Sequence, residues 1–327
     1  MESFVFALNA VAPIVLTVVI GYLLKKIGIF PAEMSVKVNR LVFRVLLPAM
    51  LFVNVYNIES VSDIGIGYIL YAAGAVIAVV VLAMLIVPLF IKKKERRAPL
   101  IQAIFRSNFA LIGIPLAESL YGAEGAAVAA LLSAIAIPIF NVSAVLCFSL
   151  FASSEKKPSA KKILLDIVKN PLIIAIAISG VFLLAKNLLL NVGVTTTLND
   201  ITPVYKTLTY LSSTATPMAL LSLGAQFEFS AVPELKKEII AGTALRCVIV
   251  PAVALSVAYA IGAFNGAHFA SYVALFATPV AVSSVPMAQE MKGDAKLAGQ
   301  LVVWTTMLSA ITIFLFTFIL KNIGVFA

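Results

Sequence analysis

Ten stretches of this chain are apolar over about twenty residues or more, at 4–24, 36–56, 66–91, 98–121, 124–151, 164–190, 203–226, 235–263, 267–291 and 295–320. Runs of that kind narrow the choice of fold sharply. In lipid every backbone amide and carbonyl must find its partner within the protein, so only helices and closed barrels cross a bilayer. Barrel strands alternate apolar and polar residues over about ten positions, and these runs are continuous. The expectation is an all-α polytopic membrane protein with ten transmembrane helices. Composition agrees: 62% of residues are hydrophobic and 12% are charged, against roughly 25% charged in soluble domains. The first run has its lysines, Lys25 and Lys26, behind it rather than in front. It is read as a retained helix, not a cleaved leader.

The net charge of +9 would suggest nucleic acid in a soluble chain. Here 18 of the 24 Lys and Arg residues fall in the odd-numbered loops or within six residues of them, including Lys92, Lys93, Lys94, Arg96 and Arg97. A bias of that kind sets topology. The odd loops are expected on the cytoplasmic side of a cell (inner) membrane, with both termini outside and no nucleic-acid partner. A basic linker at 153–163 divides the chain into halves, 1–152 and 164–327, of five helices each. Five is odd, so the second half enters the membrane from the opposite side.

Two runs are interrupted. The fourth carries Arg106-Ser107-Asn108-Phe109 and then Ile112-Gly113-Ile114-Pro115; the ninth carries Thr278-Pro279-Val280 and then Ser283-Ser284-Val285-Pro286. They align at an offset of 171 residues, matching Pro115 with Pro286 and Gly122 with Gly293. Leu47-Pro48 in the second run aligns with Thr216-Pro217 in the seventh at an offset of 169. Two interrupted helices in corresponding places of two inverted halves are the best sequence pointer to a transporter site. Asn108 lies ten residues into its run and Pro279 twelve into its own, about 15–18 Å at 1.5 Å per residue. That is near the middle of a hydrocarbon core of about 30 Å. If both helices break there, new helix N-termini from about Phe109 and Val280 face one cavity. Their free amides and positive dipole ends suit an anion.

Charges inside the membrane are functional candidates. The Arg106 guanidinium would grip a carboxylate bidentately or reach back to the lipid phosphates. Arg44 would face the same cavity or the interface. Arg246 would pair with Glu290 or Glu118. Ser212, Ser213, Thr214 and Thr216 with Leu47 would form a facing wall. Cys147 and Cys247 form no CxxC pair, His268 is the sole histidine, and there is no GxSxG or HExxH motif. No metal site, cofactor or enzyme chemistry is expected.

The stretches Asn39-Arg40 with Leu47-Pro48, Ser107-Asn108 through Gly113-Ile114-Pro115-Leu116, Tyr121-Gly122, and Pro279 through Val285-Pro286 resemble the auxin efflux carrier family. That family is also called the membrane transport protein family, and includes plant auxin carriers and bacterial carriers of the malate-permease type. The resemblance runs the whole length. It implies two inverted five-helix repeats with broken, crossing helices four and nine, related to the bile-acid and sodium/proton antiporter folds. It further implies a scaffold of helices one, two, six and seven that mediates a homodimer, and a moving transport domain of helices three to five and eight to ten. In the auxin carriers an asparagine beside a proline at the crossing contacts the substrate carboxylate. Asn108 holds that place here, with Ser107 where the proline would stand.

The functional expectation is a secondary carrier of a small organic anion by alternating access in the lipid bilayer. Its candidate substrate residues are Asn108, Ser107, Arg106, Leu47, Pro48, Ile112, Thr278, Pro279, Val280 and Ser283. The alternatives are a Na⁺- or H⁺-coupled symporter of bile-acid-carrier type, and a channel or sensory module.

Overall fold

The computed structural model describes residues 2–57, 66–151, 168–191, 197–264 and 266–326, with residues 161, 165 and 193. The linker at 153–163 and the expected start of the sixth helix lie almost wholly outside the described residues. Among the described residues the fold is all-helical. The helices are α1 (Glu2–Lys26), α2 (Ala32–Leu41), α3 (Leu47–Tyr56), α4 (Ile66–Phe90), α5 (Lys94–Phe105), α6 (Ile114–Phe151) and α7 (Pro171–Asn191). They continue with α8 (Thr202–Gln226), α9 (Val232–Ala244), α10 (Val250–Ile261), α11 (Gly266–Ala277), α12 (Ser284–Glu290) and α13 (Ala295–Asn322).

Six helical stretches among the described residues are long and apolar enough to cross a membrane: Ala32–Tyr56, Ile66–Phe90, Glu124–Phe151, Pro171–Leu190, Phe229–Ile261 and Ala295–Asn322. Two of these are continuous across a wide π turn, Val42–Leu46 between α2 and α3 and Leu245–Ile249 between α9 and α10. A third such turn, Phe109–Gly113, opens α6. All three have the same cause. Pro48, Pro115 and Pro251 each stand second in the helix that follows. Proline has no amide to donate, and its ring pushes against the carbonyl four residues back. Those carbonyls belong to Arg44, Leu111 and Cys247, inside the three wide turns. Local widening absorbs the misfit.

The expected boundary between the fourth and fifth runs is a sharp kink within α6. Tyr121 has φ −144° and Gly122 has φ 60°, ψ −155°, a backbone that only glycine adopts at low cost. The matched Gly293 does not repeat this. There the left-handed residue is its neighbour Lys292, at φ 61°, and a Cβ on Gly293 would meet the Phe148 ring at 2.5 Å.

Helices α1, α2, α3, α7 and α8 pack on one another, and α4, α5, α6, α10 and α11 pack on one another, with α13 touching both α1 and α9. The α1–α8 contact is the tightest. A Cβ on Gly21 would stand 2.2 Å from the Leu221 carbonyl oxygen, and one on Gly224 would stand 2.0 Å from that of Val18. Small residues let membrane helices approach to backbone contact.

Candidate functional site

The helix ends at Phe105 and again at Ala277, and between these ends the two chains cross. Arg106 is extended (φ −88°, ψ 106°), and Ser107 pairs antiparallel with Val280. The Asn108 amide donates to the Pro279 carbonyl (2.8 Å), and the Ala281 amide donates to the Arg106 carbonyl (3.3 Å). A two-residue piece of sheet thus satisfies backbone that has left both helices. The helix in the fourth run unwinds without a proline at its break. Its freed carbonyls have found another partner.

That partner is Arg246, which is fully buried. Its Nε donates to the Thr278 carbonyl (2.9 Å), its Nη1 to those of Ile104 and Phe105 (3.3 Å each), and its Nη2 to that of Leu275 (3.0 Å). One guanidinium closes the C-terminal ends of α5 and α11 together, and a cation belongs at such ends. The expected pairing of Arg246 with Glu290 or Glu118 is therefore corrected. Glu118 is exposed, and Glu290 is bound by Arg40 (3.2 Å) and Arg44 (3.3 Å). The same contact places Arg44 away from the cavity, on an exposed surface.

A second correction concerns the ninth run. Helix does not resume at Val280 but at Ser284, so the break covers 278–283. The Val280 amide is held by the Thr305 hydroxyl of α13 (3.1 Å), which in turn donates to the Leu301 carbonyl (2.7 Å). Val280 and Ala281 both give their amides to partners elsewhere in the fold, Thr305 and Arg106, rather than to a helix of their own, and that delays the restart.

A small cavity of about 60 Å³ lies against the crossing, lined among others by Leu47, Met50, Asn54, Arg106, Ser107, Asn108, Asn141, Thr216 and Ser283. Five of the expected residues meet there: Arg106, Ser107, Asn108, Leu47 and Ser283. The other five lie outside its lining. Thr278 is buried and bonds back to the Ala274 carbonyl (2.7 Å). Pro279 and Val280 supply backbone to the crossing, Ile112 is packed in the core, and Pro48 shapes the wide turn. Of the proposed facing wall only Thr216 and Leu47 reach the cavity; Ser213 and Thr214 bond back to the Tyr210 carbonyl.

Arg106 is buried, and it does not reach back to the surface. Its Nη2 donates to Asn141 Oδ1 (2.9 Å) and its Nη1 to Met287 Sδ (3.1 Å). Among the described residues both side-chain partners are uncharged, and Arg106 is the one charged residue lining the cavity. Among the described residues the Ser107 hydroxyl, also buried, has no hydrogen-bond partner. The first helical amides past the break, those of Phe109, Ala110 and Leu111, precede Ile112, which is the first to bond back, to the Asn108 carbonyl (3.0 Å). A buried cation with neutral neighbours, an orphaned hydroxyl and helix-initial amides all offer donors to one small space. Asn141 was not among the expected residues. It is an amide within an apolar helix, and that signal alone could have singled it out.

Non-helical backbone within an apolar helical protein, edged by a mostly apolar cavity that holds a few polar side chains, is the plan of a membrane carrier. The comparisons agree. The chain belongs to the membrane transport protein family, also called the auxin efflux carrier family, whose sequence pattern matches residues 6–317. It is 24% identical, over 97% of its length and 99% of the relative's, to a protein of Methanothermobacter thermautotrophicus described as an uncharacterized transporter.

Proposed function

We propose that this protein carries a small organic anion, with a carboxylate as the recognised group, by alternating access at the crossing of residues 106–108 with 278–283. The observation that carries the reading is Arg106. Burying a cation without a counter-ion is costly, and among the described residues only an amide oxygen and a thioether accept from it. A carboxylate in the cavity would supply the missing charge, accept from Ser107 and Asn108, and lie at helix-initial amides that favour an anion. The cavity as it stands holds only a few waters, so this is a closed form that must widen to admit the solute.

In this reading the chain spans the membrane ten times, as two inverted five-helix repeats, with its basic loops cytoplasmic. The close-packed α1, α2, α3, α7 and α8 serve as scaffold and dimer surface, and the remaining helices move with the site. The test is uptake and efflux of a panel of mono- and dicarboxylates in proteoliposomes, with and without Na⁺ and proton gradients, comparing wild type with Asn108→Ala. Transport of at least one carboxylate, reduced in the variant, is expected. Equal transport by both proteins would remove the site from the crossing. Absence of carboxylate transport alongside movement of cationic solutes would overturn the substrate class.

A further inference from the structure

Eight buried side-chain polar atoms among the described residues lack a hydrogen-bond partner, and half of them lie along one seam. A second cavity, of about 290 Å³, opens on the face bearing the basic loops and is lined by residues including Glu33, Val36, Leu223, Gln226, Val285 and Lys296. The same chain segments run from this cavity to the one at the crossing. On α8, Thr216 and Ala219 line the inner cavity, Leu223 and Gln226 the outer. On the broken helix, Ser283 lines the inner and Val285 the outer. On the α2–α3 helix, Leu47 lines the inner and Val36 the outer. In each interval stands a buried orphan: Ser222 Oγ, Ser284 Oγ and Asn39 Oδ1, with Gln226 Nε2 at the outer cavity's edge.

Ser222 falls three residues after Ala219 and four before Gln226, so it shares their helical face. Unpaired polar groups inside an apolar protein are costly, and each calls for an explanation. A path that carries water or a polar solute when open, and is pressed shut here, provides one. The seam is fastened at its outer end. Asn39 Nδ2 donates to Gln289 Oε1 (2.9 Å), and Arg40 and Arg44 hold Glu290. These contacts join α2 and the wide turn after it to α12. Both arginine side chains are largely exposed, at 61% and 64%. Glu290 itself is 11% exposed, but with both cations in solvent the pairs are screened and weak, as a contact broken in every cycle must be.

Resting on the carrier reading above, we infer that the seam through Asn39, Ser222 and Ser284 is the solute's route to the basic face, and that the Arg40/Arg44–Glu290 and Asn39–Gln289 contacts are its latch. The test is thiol accessibility. Ser222→Cys is placed in a Cys147→Ala/Cys247→Ala background and treated with a membrane-impermeant charged maleimide, in vesicles of both orientations. Glu290→Gln should raise the labelling rate from the basic face by about fivefold, the population shift that follows loss of a weak contact. Labelling from the opposite face should stay unchanged. Arg40→Gln/Arg44→Gln, which leaves Glu290 in place and alters only exposed residues, should reproduce the rise and also stands in if Glu290→Gln does not fold. The same rate in latched and unlatched proteins, or entry from the opposite face, would overturn the inference. So would a rise in Glu290→Gln that the arginine variant does not share. Labelling needs no solute, so a failed carboxylate assay leaves this result standing, and the reverse also holds.

Discussion

The two breaks that meet at the crossing lie in stretches of sequence that align with each other, yet they are built differently. At residues 106–108 the side chains face the cavity and the gap is short. At 278–283 the gap is longer, and Thr278 and Val280 contribute backbone that other parts of the protein hold in place, through Arg246 and Thr305. One break presents chemistry and the other presents a frame. The difference teaches that two interruptions matched in sequence need not be two halves of one binding site. Loss of function at the first break should come with the fold intact, and loss at the second should come with the fold.

The largest effect is expected from Arg246→Gln, because it strips donors from carbonyls at both helix ends. Stability should fall by about 3 kcal/mol or more, since hydrogen bonds from a charged group are worth about 1.5–3 kcal/mol each. The check is thermal melting in detergent; a melting temperature equal to wild type would show that the crossing does not need this bolt. Next comes Arg106→Gln. Carboxylate transport should drop about 10–150-fold, the loss of one charge-assisted contact, with melting unchanged or raised because a buried charge has gone. A parallel fall in stability would place Arg106 with the frame and erase the contrast. Thr305→Val should cost about 1–2 kcal/mol by orphaning the Val280 amide, with transport by the folded fraction retained. The smallest effect belongs to Ser107→Ala. Its hydroxyl lacks a partner among the described residues, so melting should not change, while KM should rise about 2–10-fold for one lost neutral hydrogen bond.

How much of this was legible beforehand depends on where the information sits. The apolar runs, the polar stretches Ser107-Asn108 and Thr278-Pro279, and the family itself stand in the sequence as residue types. The length of the second break did not, because it is set by Thr305 on a helix that carries no mark of the contact. Arg246 was visible as a charge in an apolar run, but its partners are main-chain carbonyls, which every residue has and no motif announces. Acidic side chains such as Glu290 drew the expectation instead. Asn141 lies in no interruption, because α6 runs on through it, and its place beside Arg106 follows from the packing alone.

The bridge between Ser107 and Val280 also has a consequence in time. A ribosome makes Ser107 well before the 173 residues that lead to Val280. At about 5–20 residues per second this is an interval of roughly 10–30 s. Throughout it the unwound strand of the first half has neither its sheet partner nor the guanidinium that closes its helix end. The nascent first half must either stay a continuous helix, breaking only when the second half arrives, or shelter that strand in another protein. Biogenesis of such a carrier therefore waits on its C-terminal half before the site can exist at all.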